Sequence, residues 1–338
     1  MRRIVGACLA VAALIGLFQQ PASASVRIHY IAAEDIVWNY APRGRDVIAD
    51  RPLPRKGVAQ LGWTYHKAVY VEYTDATFRK RASISPGERY LGFVGPVIHA
   101  EVGDTLIVVL RNRTTIPVDI APNGVASIPK PAAVMPGSTR TFRWPIVNGP
   151  STADESSILF SYASDAQPGE HTSGLIGPLI VTRRGSARAD GSPSDVDREI
   201  VTLFSSQLEN QNPLLAENLH DRAINPKGIR AAAASFFFDN AYPSINGFIY
   251  GNMPMITLRK GDRVRWYLLT TANGLDGHTP TWSGQTVLFE GNRSDSVGLV
   301  FRDLIVDMVP DNPGVWLLNC SNDIHLADGM EGRYQVLP

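Results

Sequence analysis

Glu101-Val102-Gly103-Asp104 turns into the apolar run Thr105 to Leu110, and Arg259-Lys260-Gly261-Asp262 turns in the same way into Arg263 to Leu269. Each copy follows a glycine-containing apolar segment, Leu91 to Ile98 in the first and Ile245 to Ile256 in the second. The endings also match: Gly174-Leu175-Ile176-Gly177 precedes Pro178 to Thr182, and Gly329-Met330-Glu331-Gly332 precedes Arg333 to Leu337. Short runs such as Ala68 to Tyr73, Arg140 to Trp144 and Glu199 to Phe204 stand between turn residues, the pattern of sandwiches or Greek-key barrels. The expectation is an all-β chain of two tandem sandwiches, residues 25–184 and 198–338. Residues 185–197, rich in Gly, Ser, Ala, Pro and Asp, read as the linker. Pro213 to Phe238 reads as a loop with a short helix near Arg230 to Ala234.

Composition bounds the partners. Lys plus Arg and Asp plus Glu are each 32 in 338 residues, so there is no basic excess to hold a phosphate backbone, and no nucleic-acid partner is expected. Hydrophobic residues reach 44%, enough to build a packed core. Met1-Arg2-Arg3, the apolar run Ile4 to Phe18 and Ala22-Ser23-Ala24 read as a secretory signal over 1–24, too short to span a membrane. Cys8 invites a lipoprotein reading, but the apolar run continues past it, so cleavage near Ala24 and a periplasmic or secreted product are expected. That leaves Cys320 alone in an oxidising compartment, where a single thiol is buried, pairs between chains or binds metal. Asn112-Arg113-Thr114 and Asn292-Arg293-Ser294 fit glycosylation sequons, a pattern common by chance.

The strongest local signal is Trp316-Leu317-Leu318-Asn319-Cys320-Ser321-Asn322-Asp323-Ile324-His325-Leu326-Ala327-Asp328-Gly329-Met330. Cys, His and Met recur every fifth residue, so one loop between two strands can aim a thiolate, an imidazole and a thioether at one point. A blue copper site needs that set and a second imidazole. His278, on the Asp276-Gly277-His278-Thr279 turn, supplies it. His29, His66, His99, His171 and His220 sit in no matching motif and read as structural.

Several longer strings carry a resemblance. Tyr30 to Pro42, Lys67 to Phe78, Gly92-Phe93-Val94-Gly95-Pro96-Val97-Ile98-His99-Ala100-Glu101-Val102-Gly103-Asp104, Ser173 to Ile180, Ile245 to Asn252 and Trp316 to Met330 resemble the cupredoxin domains of ceruloplasmin-type multicopper oxidases. The resemblance covers almost the whole chain after residue 24. It implies two cupredoxin-like domains and copper-linked oxidoreductase chemistry. Carried over residue by residue, the type 1 copper set matches at His278, Cys320, His325 and Met330. The paired histidines of the family's oxygen-reducing cluster do not. They read Ala121-Pro122-Asn123, Tyr162-Ala163-Ser164, Thr281-Trp282-Ser283 and Asn319-Cys320-Ser321. In the first half Ala163 stands where the copper cysteine would be and Leu175 where the methionine would be, so no copper is expected there.

The leading expectation is one type 1 copper per chain, passing single electrons between a small reductant and a small redox protein without reducing dioxygen. Two alternatives stand beside it: an oxidoreductase that oxidises a metal ion or phenol with an external acceptor, and a copper carrier. Two-domain relatives often form trimers, and a homotrimer is the assembly the resemblance suggests, here without the interfacial copper that would help hold it.

Overall fold

The computed structural model describes residues 24–221, 234–271, 277–299 and 302–338. The signal expected over 1–24 lies almost wholly outside them, as does most of the helix expected near Arg230 to Ala234. A described helix, Ala234–Asp239, begins where that expectation ends.

The chain is all-β in its framework. In the first half one sheet runs Thr64–Tyr73, Val26–Asn39, Thr105–Arg113, Thr139–Pro145, and a second runs Ile98–Glu101, Ile176–Thr182, Ser157–Ala163, Ala121–Pro122. Thr105–Arg113 alternates strictly, and its inward residues Leu106, Val108 and Leu110 are fully buried. With Phe142, Trp144, Ile98, Leu179 and Val181 they fill the space between the two sheets. The turn before this strand is closed by Asp104, whose carboxylate accepts from Ser25 N and Arg27 Nε.

The second half repeats the plan. Ala241–Ile245, Arg198–Leu208, Val264–Thr270 and Leu304–Met308 follow one another in one sheet, which continues through Val287–Phe289 and Asn292–Ser294. The facing sheet is Ile256–Arg259, Glu331–Leu337, Gly314–Cys320, Pro280–Trp282. Each half keeps one parallel pair per sheet, for example Val26–Asn39 on Thr105–Arg113 and Arg198–Leu208 on Val264–Thr270.

Val264–Thr270 does not alternate; it is buried on both faces. Trp266 and Leu268 point into their own sandwich, whereas Tyr267 and Leu269 join Val69, Phe93, Ile180, Val201 and Leu203 in a core shared by the two halves. A fully buried ion pair crosses it: Lys67 Nζ lies 2.6 Å from Glu209 Oε1 and donates to Thr172 O at 2.6 Å, while Tyr40 donates its hydroxyl to Glu209. Residues 185–197 are tied down by turns, with Arg188 donating to Val196 O and Arg27 to Ala189 O. Residues 40–63 of the first half reach across the second like a strap. Val47 N donates to Tyr250 O, Arg43 N to Asn252 Oδ1 and Leu61 N to Asn240 Oδ1.

Candidate metal centre

The end of Gly314–Cys320, the turn at His278 and the loop to Met330 converge at one end of the second sandwich. Cys320 is the last residue of its strand and pairs with Pro280. His278 is held by two backbone hydrogen bonds with Leu299, at 3.1 and 2.9 Å. After Cys320 the chain turns into the short helix Asp323–Ala327. Its N-terminus is capped by Asn322, whose side chain accepts from Ile324 N, so that His325 falls on the inward side. The loop closes where Met330 N donates to His325 O at 2.9 Å and Cys320 N to Met330 O at 3.0 Å.

The side chains of His278, Cys320 and His325 come together, all buried, with one ligand atom of each within 4.8 Å of the others. His278 Nδ1 stands 3.1 Å from His325 Nδ1, and Cys320 Sγ 3.5 Å from His325 Nδ1. Donors that share one ion at about 2.0–2.3 Å stand about 3–4 Å apart, and these separations fall in that window. Thr279 N donates to Cys320 Sγ at 3.2 Å, which fixes the direction of the sulfur. The Met330 side chain is fully buried in the same core cluster as Cys320. A thiolate, two imidazoles and a nearby thioether form a soft, mixed S/N set suited to copper. The four residues selected from the sequence therefore lie on one closed loop and the turn packed against it.

The other histidines are engaged elsewhere. His29 faces Glu72 at 2.8 Å, His66 Asp221 at 2.7 Å, His99 Glu199 at 3.1 Å, His171 Asp165 at 2.9 Å and His220 Asp221 at 3.1 Å. Among the described residues, no other group of three or more His, Cys, Asp or Glu side chains is placed to share an ion.

The first half contains the counterpart of this centre, and its register corrects the sequence reading. Ser164, not Ala163, occupies the place of Cys320. Asp119 N donates to Ser164 Oγ at 2.8 Å as Thr279 N does to Cys320 Sγ, and Ser164 N donates to Leu175 O at 3.0 Å as Cys320 N does to Met330 O. Val118, bridged to Val134, stands for His278, bridged to Leu299. Glu170, whose carbonyl accepts from Leu175 N, stands for His325, whose carbonyl accepts from Met330 N. Glu170 is fully buried, and burial pushes its carboxyl up to about 7 against opposing hydrogen bonds from Ser164 and Gln167. A valine, a serine, a carboxyl and a leucine thus replace the four ligands. Ala163 then falls opposite Ala121 as Asn319 does opposite Thr281, which still puts no imidazole at the position.

A cavity of about 480 Å³ reaches His325 from outside. Phe237, Phe238 and Ile324 give it an apolar side; Lys56, Asp239 and Asp328 give it a polar one. His325 itself is only 1% exposed, so this cavity is the approach to its ring. Nothing local in the sequence marks it, because Lys56 arrives on the strap from the other half.

Comparison with known proteins agrees with this geometry. The multicopper oxidase family profile matches residues 223–338. Human ceruloplasmin is 36% identical over 92% of this chain, and human hephaestin 34% identical over 95%. The chain spans about a third of the length of these relatives, 32% of the first and 30% of the second. A solved multicopper oxidase superposes with a TM-score of 0.59 at 16% identity, over 92% of this chain and 89% of its own. The blue copper oxidase of Nitrosomonas europaea does so with a TM-score of 0.56 at 18% identity, over 93% and 86%; both share the fold. Two cupredoxin-like sandwiches, a His-Cys-His group at the loop end of the second, and this relatedness place the chain among the multicopper oxidase-type proteins.

Proposed function

We propose that this protein holds a single type 1 copper on His278, Cys320, His325 and Met330 and transfers one electron at a time, without reducing dioxygen. The observation that carries the reading is the contrast between two sets of positions. The type 1 set is complete and buried, whereas none of the positions where the family's oxygen-reducing cluster takes imidazole is a histidine. The residues standing there have other bonds: Asp165 Oδ1 lies 2.9 Å from His171 Nε2, Asn123 donates to Ser161 Oγ at 2.8 Å and Thr281 to Thr279 O at 3.1 Å. Asn319 and Ser321 flank Cys320 and offer neither imidazole ligands nor a path from the thiolate to a second metal.

Copper supplies a one-electron couple when bound; the protein supplies the pocket. The thiolate is held by Thr279 N–H, the His325 ring forms part of the cavity wall, and the buried surroundings keep bulk water away. The near-complete burial of His325 favours a small reductant entering the cavity over a protein docking directly on the ring. Ile324, Leu326 and Phe238, all exposed, offer an apolar surface nearby for a transient redox partner. Export under the signal at residues 1–24 belongs to the same proposal. Among the described residues no helix is long and apolar enough to cross a membrane.

The test is a metal count with optical and spin-resonance spectra of the copper-loaded protein. One copper per chain with an intense thiolate-to-copper band is expected, and Cys320→Ser should remove that band. Oxygen uptake with ferrous iron or a phenol should stay at background while anaerobic reduction of the centre proceeds. Colour that survives Cys320→Ser, or oxygen uptake that depends on Cys320, would overturn the reading.

A further inference from the structure

The loop that carries His325 and Met330 is gripped from the other half of the molecule. Lys56, on the strap of residues 40–63, places Nζ 2.7 Å from Asp328 Oδ2. It also donates to Ala241 O and lies over the Tyr242 ring, 5.3 Å from its centroid. Its side chain is 7% exposed, so the ammonium is held by these partners and not by water. Asp328 caps the C-terminus of the helix bearing His325, with its N–H bonded to Ile324 O, and stands two residues before Met330. A shift of Asp328 therefore moves both ends of the ligand loop. The same loop meets Tyr250, whose N–H donates to Gly329 O at 2.7 Å and whose carbonyl accepts from Val47 N on the strap.

We infer that Lys56 is a positioning residue for the metal centre: its ion pair with Asp328 lets the first half fix the loop that presents His325 and Met330. The inference rests on copper being held there. Outer residues that orient metal ligands typically change metal affinity by about 10–100-fold when removed. The Asp328 carboxylate, 33% exposed, would turn toward water once its cation partner is gone, and the helix end that it caps would move with it.

The experiment compares Lys56→Met, Lys56→Arg and Trp38→Phe in the full-length, copper-loaded protein. Trp38 joins the halves through Nε1–H to Gly247 O at 2.7 Å, so its replacement loosens their contact without touching the ligand loop. Two signals are read: the rate of copper release to an excess of a chelator, and the position of the thiolate-to-copper band. Lys56→Met should release copper at least about tenfold faster and shift the band, Lys56→Arg should recover most of both, and Trp38→Phe should match wild type. Wild-type release by Lys56→Met, or equal acceleration by Lys56→Met and Trp38→Phe, would overturn the inference. If Lys56→Met fails to fold, Asp328→Asn, which keeps the side-chain volume, should give the same acceleration, and wild-type release by it would equally overturn the inference. A wild-type protein with no thiolate band would instead refute the copper assignment itself.

Discussion

Glu170 is the residue whose burial should show most plainly in solution. Its carboxyl is raised from 4.5 to about 7 in the folded chain because burial disfavours the charge. A folded-state value above the unfolded one means that this group's stabilisation is present at acid pH. It is lost as pH rises from about 4.5 through about 7. Glu170→Gln, which needs no proton to stay neutral, should therefore gain about 1–3 kcal/mol over wild type at pH 8 and little at pH 4. Denaturant unfolding at the two pH values checks this, and an equal effect at both would exclude titration as the cause. The residue scale also shows what sequence can and cannot tell. The meeting of Cys320 and His325 was legible because they stand five residues apart on one loop, which Met330, five residues further on, closes through backbone bonds. Ser164 and Glu170 were not, because the first-half loop is one residue longer, and only strand pairing shows which residue takes the thiolate's place.

At the scale of elements, the ligand loop depends on how it ends. Gly329 adopts φ +88, and a Cβ placed on it would come 2.6 Å from the Tyr250 ring. Tyr250 itself sits at φ 51, a left-handed conformation uncommon for an aromatic residue, and the strap and the loop both bond to its backbone. Gly329→Ala faces a strained dihedral and a ring that cannot withdraw. It should cost about 1–3 kcal/mol and broaden the copper spectrum by displacing Met330. Thermal unfolding with and without copper measures both effects; an unchanged spectrum would mean that the loop closes independently of Tyr250. The repeat in the sequence announced the strands around this loop, because Gly-Asp turns and alternating apolar residues are local signals. Tyr250 and Lys56 come from distant segments, and only folding brings them to the loop.

For the molecule as a whole, the shared core makes the two halves one structure. Lys67 and Glu209, each fully buried, form an ion pair across it. Lys67→Met would leave a carboxylate inside with no cation, which costs about 3–5 kcal/mol when a buried pair is broken on one side. Lys67→Met combined with Glu209→Gln should recover part of that loss, since the charge is then gone. Denaturant titration of the single and double variants checks the order, and a double variant no more stable than the single would show that the charge is not the cause. The tandem plan could be read from the repeat, but the depth of the contact could not. Nothing local marks Tyr267 and Leu269 as facing another sandwich, apart from the loss of alternation in their strand.

The strand Glu331–Leu337 pairs with both Gly314–Cys320 and Ile256–Arg259, and it begins one residue after Met330. The ligand loop is thus closed by a segment made after it. A chain exported unfolded, as proposed, would carry all four ligands before this strand pairs, and the loop would then stand open. Copper meeting it at that stage would find a thiol, two imidazoles and a thioether on an unclosed segment; after the strand has paired, it would find a closed pocket. Order of events, rather than affinity alone, then decides whether the metal is captured where it belongs.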